Sequence, residues 1–142
     1  MIQKEWLQWK TWGMMLVLLL VTTITFAQES PRKQATGKIG AVTATVDYGS
    51  PSVKGRTVWG ELVPYGKVWR AGANANTTIS FSEDVKVAGK DVKKGKYALF
   101  TTPKADSWDV ILYKDTNNWG LPENWDEANV ALKISIKPET LN

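Results

Sequence analysis

The sequence predicts an all-β protein: a single antiparallel, β-sandwich-like domain that follows an N-terminal signal peptide. Three observations carry this. Apolar residues recur with period two in one short segment after another. Clusters of Gly, Pro, Asn and Asp break those segments at short intervals. No segment after residue 27 sustains an apolar stripe of helical period.

Residues 1–27 read as the signal peptide. Lys4 and Lys10 make the start basic, Met14–Val21 (MMLVLLLV) is the apolar centre, and Thr25-Phe26-Ala27 offers small residues at the exit. A spanning helix wants about 20 apolar residues, and this run is shorter. The chain is therefore expected to be exported, to the periplasm or outer cell envelope, and to meet a membrane only through this segment if it stays uncleaved. Residues 28–38 (QESPRKQATGK) are polar without a period and read as a flexible arm or a loosely paired edge, with the arm taken for the domain organisation. Residues 39–142 read as the all-β domain.

Within that domain, Val42, Ala44, Val46 and Tyr48 alternate with Thr43, Thr45 and Asp47, the pattern of a half-buried strand. Gly49-Ser50-Pro51-Ser52 ends it. Thr77–Ser82 (TTISFS) is the next clear strand. Val85–Val87 and a short piece at Val92 flank the turn Ala88-Gly89-Lys90-Asp91. Lys96–Thr102 (KYALFTT) alternates up to Pro103, which lacks the N–H that a ladder needs. Trp108–Tyr113 (WDVILY) is almost continuously apolar, as a central strand is. Asp115–Glu127 is a long loop. Val130–Lys137 closes the series, with Val130, Leu132, Ile134 and Ile136 expected inward.

Composition removes several chemistries. The chain has no Cys and no His. Disulfides and an acylated-cysteine anchor are excluded, as are Ser–His–Asp and Cys–His nucleophile systems and zinc sites built on imidazole or thiolate. No cofactor is expected. The net charge of +4 is dispersed rather than gathered in a stripe, so no nucleic-acid partner is expected. A glycosidase built on two carboxylates stays open, with Asp47, Glu61, Asp109, Asp115, Glu123, Asp126 and Glu127 as candidates, but no spacing selects a pair. Asp115, Asn117 and Asn118 offer oxygens at near-calcium spacing but lack the loop register of a calcium site, and turn chemistry explains them better. Asn76-Thr77-Thr78 fits a glycosylation pattern that is read here as chance.

The densest functional signal is Ser50–Asn74 (SPSVKGRTVWGELVPYGKVWRAGAN). It is too rich in Gly and Pro for a helix and too rich in Trp, Tyr and Arg for a plain linker. Arg56 and Arg70 present forked donors suited to carboxylate or phosphate. Trp59, Tyr65 and Trp69 can stack on a sugar ring or a cation. Asn74 adds an amide that donates and accepts. The ligand-binding residues expected are Arg56, Trp69, Arg70 and Asn74, acting on a small anionic or carbohydrate ligand. The competing reading makes Trp69 a core plug and the glycines mere turn residues. The function expected is a non-catalytic binding module, with a carboxylate-dependent hydrolase of envelope carbohydrate and a structural envelope protein as alternatives.

Four stretches, Ser30–Arg56, Val58–Asn74, Gly95–Pro103 (GKYALFTTP) and Trp108–Gly120 (WDVILYKDTNNWG), together resemble the domain of unknown function 2911 family of secreted all-β proteins, found mainly in Bacteroidetes. The resemblance implies an envelope protein with an all-β domain and no established activity. It also implies further strands beyond Asn142, so that the sequence is expected to be either a short member or a truncated one.

Overall fold

The computed structural model describes residues 29–139. The signal-peptide reading and the last residues of the chain lie outside them. Among the described residues the chain forms nine strands: β1 (Arg32–Ile39), β2 (Val42–Gly49), β3 (Trp69–Arg70), β4 (Thr78–Phe81), β5 (Val85–Val87), β6 (Lys90–Val92), β7 (Gly95–Pro103), β8 (Trp108–Tyr113) and β9 (Val130–Ile136). All the pairings between them are antiparallel. The main sheet has the order β1-β2-β4-β7-β8-β9, and β5 and β6 form a separate hairpin.

The length of β7 organises the sheet. One edge of β7 pairs with β8 over Ala98–Pro103. The other edge is shared: β4 takes its first half, from Phe81↔Gly95 to Thr78↔Ala98. The two residues of β3 take its second half, Trp69↔Thr101 and Arg70↔Phe100. Side chains alternate across a strand, so these registers sort the residues into two faces.

On the first face, Phe81, Tyr97, Leu112 and Leu132 form a buried cluster with Val42, Ala44, Ile79 and Ile134 around it. The β5–β6 hairpin is the second layer here: Val85, Val87 and Val92 pack onto the cluster. On the second face, Ala98, Phe100, Ile111 and Tyr113 are buried, with Val68, Trp125 and Val130 against them. Trp125, carried by the long loop after β8, closes this side. Burial of a side chain such as Phe100 or Ile111 contributes about 1.5–3 kcal/mol each. The result is an antiparallel, sandwich-like arrangement whose second layer is only a hairpin and loops.

Two expectations are corrected. Residues 32–38, read as an arm with a paired edge as the alternative, are that edge: strand β1, paired with β2 along its whole length from Arg32↔Gly49 to Ile39↔Val42. The segment reads as polar because β1 is an edge strand exposed at every position, and its register is fixed by backbone pairing and by cross-strand contacts. Arg32 pairs with Asp47, and the Thr36 and Thr45 hydroxyls meet at 3.2 Å. The second correction concerns β9. A register shift between Leu112 and Tyr113 sends Val130 to the second face. Ile136, expected inward, is 44% exposed.

The segment between β2 and β4 is anchored where two backbones nearly touch. A Cβ on Gly49 would stand 2.2 Å from the Ala73 carbonyl oxygen, so no side chain fits there. The absence of a side chain lets the Ala73 N–H donate to the Gly49 carbonyl at 3.2 Å. Thr77 Oγ1 ties down the neighbouring Ala71 carbonyl. That anchor delivers Trp69 and Arg70 to the edge of β7.

Candidate functional site

Residues 51–68 contain no strand. They fold into successive tight turns: the Arg56 N–H donates to the Val53 carbonyl at 3.1 Å, Gly60 to Val63 at 2.9 Å, and Val63 to Val58 at 2.8 Å. Gly66 then donates to the Pro103 carbonyl at the end of β7, at 2.8 Å. The turns lay Trp59, Leu62 and Val63 beside one end of the sheet. From the sheet itself, the register places Trp69, Thr101 and Trp108 on the first face at that end.

Between the turns and the sheet lies a cavity of about 490 Å³. Three indoles border it: Trp59, Trp69 and Trp108. Trp59 and Trp108 meet edge to face, with ring centroids 4.5 Å apart and planes at 69°. Val53, Leu62 and Val63 complete the apolar wall, and Ser52, Thr101 and Arg56 bring polar atoms to it. Trp59 is 49% exposed.

Arg56 clamps its own loop. Its Nε donates to the Val53 carbonyl at 3.0 Å and its Nη2 to the Ser52 carbonyl at 2.7 Å. It makes no ion pair with any described carboxylate. The loop clamp holds a positive charge at the cavity wall.

The structure divides the four residues expected to bind ligand. Arg56, Trp69 and Arg70 all border the cavity, and Asn74 does not. Asn74 has φ of 64°, a conformation that suits Asn in a turn. Trp69 and Arg70 are consecutive in β3 and project to opposite faces. The Arg70 guanidinium lies towards the second face, against Gly120: a Cβ there would stand 2.8 Å from its Nη1. Tyr65 lies outside the cavity and covers Gly60.

The carboxylates considered for catalysis are dispersed. Asp47 is held by Arg32. Asp126 caps the short 3-10 turn at Glu127–Asn129, and Glu127 accepts from the Trp125 indole N–H at 2.8 Å. Asp115 accepts from the Asn117 N–H at 3.0 Å, an Asx turn of the kind expected. Asp109 sits on the second face, where the Ser135 hydroxyl, with Lys104 and Lys133 beside it, holds its carboxyl below the ordinary carboxylate value. Among the described residues, no Asp, Glu, Tyr or Lys borders the cavity.

Two residues of this region escape a reading by sequence. Trp108 looks like the first residue of a strand, and only the pairing Pro103↔Trp108 brings it to the same face as Trp69. Its signal is parity with Val110 and Leu112. Asn76, read as a chance glycosylation motif, is 2% exposed. Its Nδ2 donates to the Gly120 carbonyl at 2.6 Å, and its Oδ1 accepts from the Asn118 N–H at 3.3 Å. Arg32 donates to the Ala75 and Asn76 carbonyls at 3.0 and 2.7 Å. Asn76 thus latches the long loop to the chain before β4.

A family model described as "Protein of unknown function (DUF2911)" matches residues 30–142 of this sequence. No curated protein matches it, and no solved structure does.

Proposed function

The chain belongs to the DUF2911 family, whose description assigns no activity, and from the geometry of the cavity we propose that it is a non-catalytic ligand-binding β domain. One observation carries the reading: three indoles, Arg56 and Arg70 border a cavity with no carboxylate, Lys or Tyr in its wall among the described residues. The volume of about 490 Å³ falls in the ~300–1,000 Å³ range of small-molecule sites. Indole faces stack on the C–H faces of sugar rings, and the hydroxyls of Ser52 and Thr101 supply directional polar contacts. A single saccharide ring is the ligand class that this wall suits. The turns of residues 51–66 are closed by backbone bonds, so little conformational entropy is lost on binding.

The hydrolase alternative finds no support in this cavity. Glycoside hydrolysis needs two carboxyl groups flanking the scissile bond, and among the described residues the cavity wall has neither Asp nor Glu. We take the domain to work in the cell envelope, because the basic start, the apolar run and Thr25-Phe26-Ala27 have the form of an export signal.

The test is titration of the full-length protein with galactose, mannose and N-acetylglucosamine, followed by tryptophan fluorescence. At least one sugar should give a saturable change that Trp69→Ala abolishes. No response to any of the three, or a response that survives both Trp69→Ala and Trp108→Ala, would overturn the reading.

A further inference from the structure

The wall of the indole cavity carries charge of one sign. Arg56 and Arg70 border it, and among the described residues no Asp or Glu does. Neither arginine forms an ion pair with a described carboxylate. The carboxylate of the same loop, Glu61, stands outside the wall. Arg70 is half-buried, so solvent screens its charge less than that of an exposed side chain. A cleft lined by one sign of charge and by apolar walls focuses its field on whatever enters.

Arg56 is the exposed member of the pair, and its fork is only half used. Nε and Nη2, the side-on edge, donate to the Val53 and Ser52 carbonyls at 3.0 and 2.7 Å. Nη1 has no partner among the described residues. The end-on edge, formed by Nη1 and the second N–H of Nη2, is therefore left over. Ser52, Val53 and Arg56, the residues of the clamp, all border the cavity. The clamp ties the guanidinium to a loop closed by its own backbone bonds, so the free edge does not swing on a long side chain. Less rotamer entropy is lost when such an edge is engaged.

We infer that the ligand of this cavity is an acidic sugar, a hexuronate, whose carboxylate is taken by the free edge of Arg56 while its ring lies against the indoles. The inference rests on the saccharide reading and narrows it. A carboxylate is planar, accepts on both oxygens and fits the edge of a guanidinium bidentately. In a hexuronate it is bonded directly to a ring carbon and projects from the ring edge, which leaves the C–H faces free to stack. A sugar phosphate carries its charge on a longer, freely turning arm, which loses more freedom on binding. A neutral sugar leaves the positive wall unanswered.

The experiment is a tryptophan-fluorescence titration of the full-length protein with galacturonate and with galactose at constant ionic strength, with galactose 6-phosphate and acetate in parallel. Galacturonate should bind about tenfold more tightly than galactose, the strength of charge-assisted hydrogen bonds at an exposed arginine. Added sodium chloride should erode that preference by weakening galacturonate and not galactose. Arg56→Gln should bring galacturonate down to the level of galactose in the same variant, and Arg56→Lys, which keeps the charge without the fork, should fall between. The salt dependence is read on the parent protein, so it decides even where a variant loosens the clamped loop. Equal affinity for galacturonate and galactose, a preference that salt does not touch, or a preference that Arg56→Gln retains would overturn the inference and leave the saccharide reading standing. Silence to every sugar would overturn both. Tighter binding of the phosphate would overturn the carboxylate assignment, and an acetate response equal to that of galacturonate would overturn the acidic-sugar assignment.

Discussion

The molecule contains two aromatic assemblies, one closed by protein and one bordering a cavity. Phe100, Tyr113 and Trp125 fill the second face. Tyr113 and Trp125 stack at 4.5 Å, and Phe100 meets each of them edge to face at 5.7 and 5.5 Å. Phe100 is 0% and Tyr113 1% exposed. Trp59, Trp69 and Trp108 stand at the other face around empty space. Trp59 and Trp108 are as close as the closest pair of the first set, yet Trp59 is 49% exposed. Ring spacing is thus the same in the core and beside the cavity. What differs is what lies on the far side of each ring: protein atoms in the first assembly, and a cavity in the second. Aromatic density in a sequence cannot tell the two apart.

The largest expected effect breaks the closed assembly. Phe100→Ala removes a ring that touches Tyr113 and Trp125 and leaves a void that neighbours on a paired strand cannot fill. It should cost about 3–5 kcal/mol of stability, read by urea denaturation. A loss under about 1 kcal/mol would mean that the second face tolerates voids as an open site does. The contrast between the assemblies would then fail.

A smaller effect is expected at the latch beside that core. Asn76→Ala strips the Gly120 carbonyl and the Asn118 N–H of their partners under a loop that also carries Trp125. Leaving buried groups unsatisfied should cost about 1–3 kcal/mol. Hydrogen exchange should show faster opening over residues 115–125 than over β7. Uniform acceleration across the sheet would show that the loop is not latched there.

The sequence made the strands legible because their burial is one-sided and local. β2 and β8 are found within a residue of where alternation puts them, and β8 is internal, as its continuous apolar run implies. β1 was legible only as one of two alternatives, an arm or a paired edge, since both of its faces meet solvent and no apolar alternation marks it. The inward face of β9 was misread at Val130, because the register shift beside Tyr113 resets the parity there and no residue type announces it, and at Ile136, which keeps its register opposite Trp108 but lies exposed at the end of an edge strand. At the site, Trp59, Trp69 and Arg56 were visible as an aromatic and basic block around glycines. The split between Trp69 and Arg70 follows from β3, a strand of two residues, too short for any periodicity to register. Trp108 joins the site from almost forty positions away (Trp69 to Trp108), through pairing alone.

Asp109 sharpens the comparison through pH, because it lies on the same face as the closed assembly, two residues before Ile111. The Ser135 hydroxyl, aided by Lys104 and Lys133, holds its carboxyl below the ordinary value of 3.8. The sign follows directly: a depressed folded-state value stabilises above the unfolded value and is lost as pH falls through the folded one. Melting temperature should therefore drop as the medium is acidified below that ordinary value, and Asp109→Asn should flatten the drop while lowering stability at neutral pH. The saccharide response at the indole cavity, which has no titrating carboxylate in its wall, should keep its affinity over the range in which the fold is intact. Parallel acid slopes for Asp109→Asn and the parent would remove Asp109 from the account.

The smallest effect on stability is expected at the most exposed ring of the two assemblies. Trp59→Ala removes an indole that is half in solvent and whose recorded ring contact is the edge-to-face meeting with Trp108. Such a pair is worth about 0.5–1.5 kcal/mol beyond burial, and the loop around it is closed by its own backbone bonds from Val58 to Val63. Denaturation should therefore shift by about 1 kcal/mol or less, while the fluorescence response to sugar is lost. The two measurements must part company for the open assembly to be a site. If Trp59→Ala costs as much stability as Phe100→Ala, the ring is a core element left partly uncovered. If it costs little and sugar affinity is unchanged, the cavity binds elsewhere along its wall, and Trp69 with Thr101 becomes the next pair to change. Only the combination of intact stability and lost binding supports the distinction between a ring packed against protein and a ring that waits for a ligand.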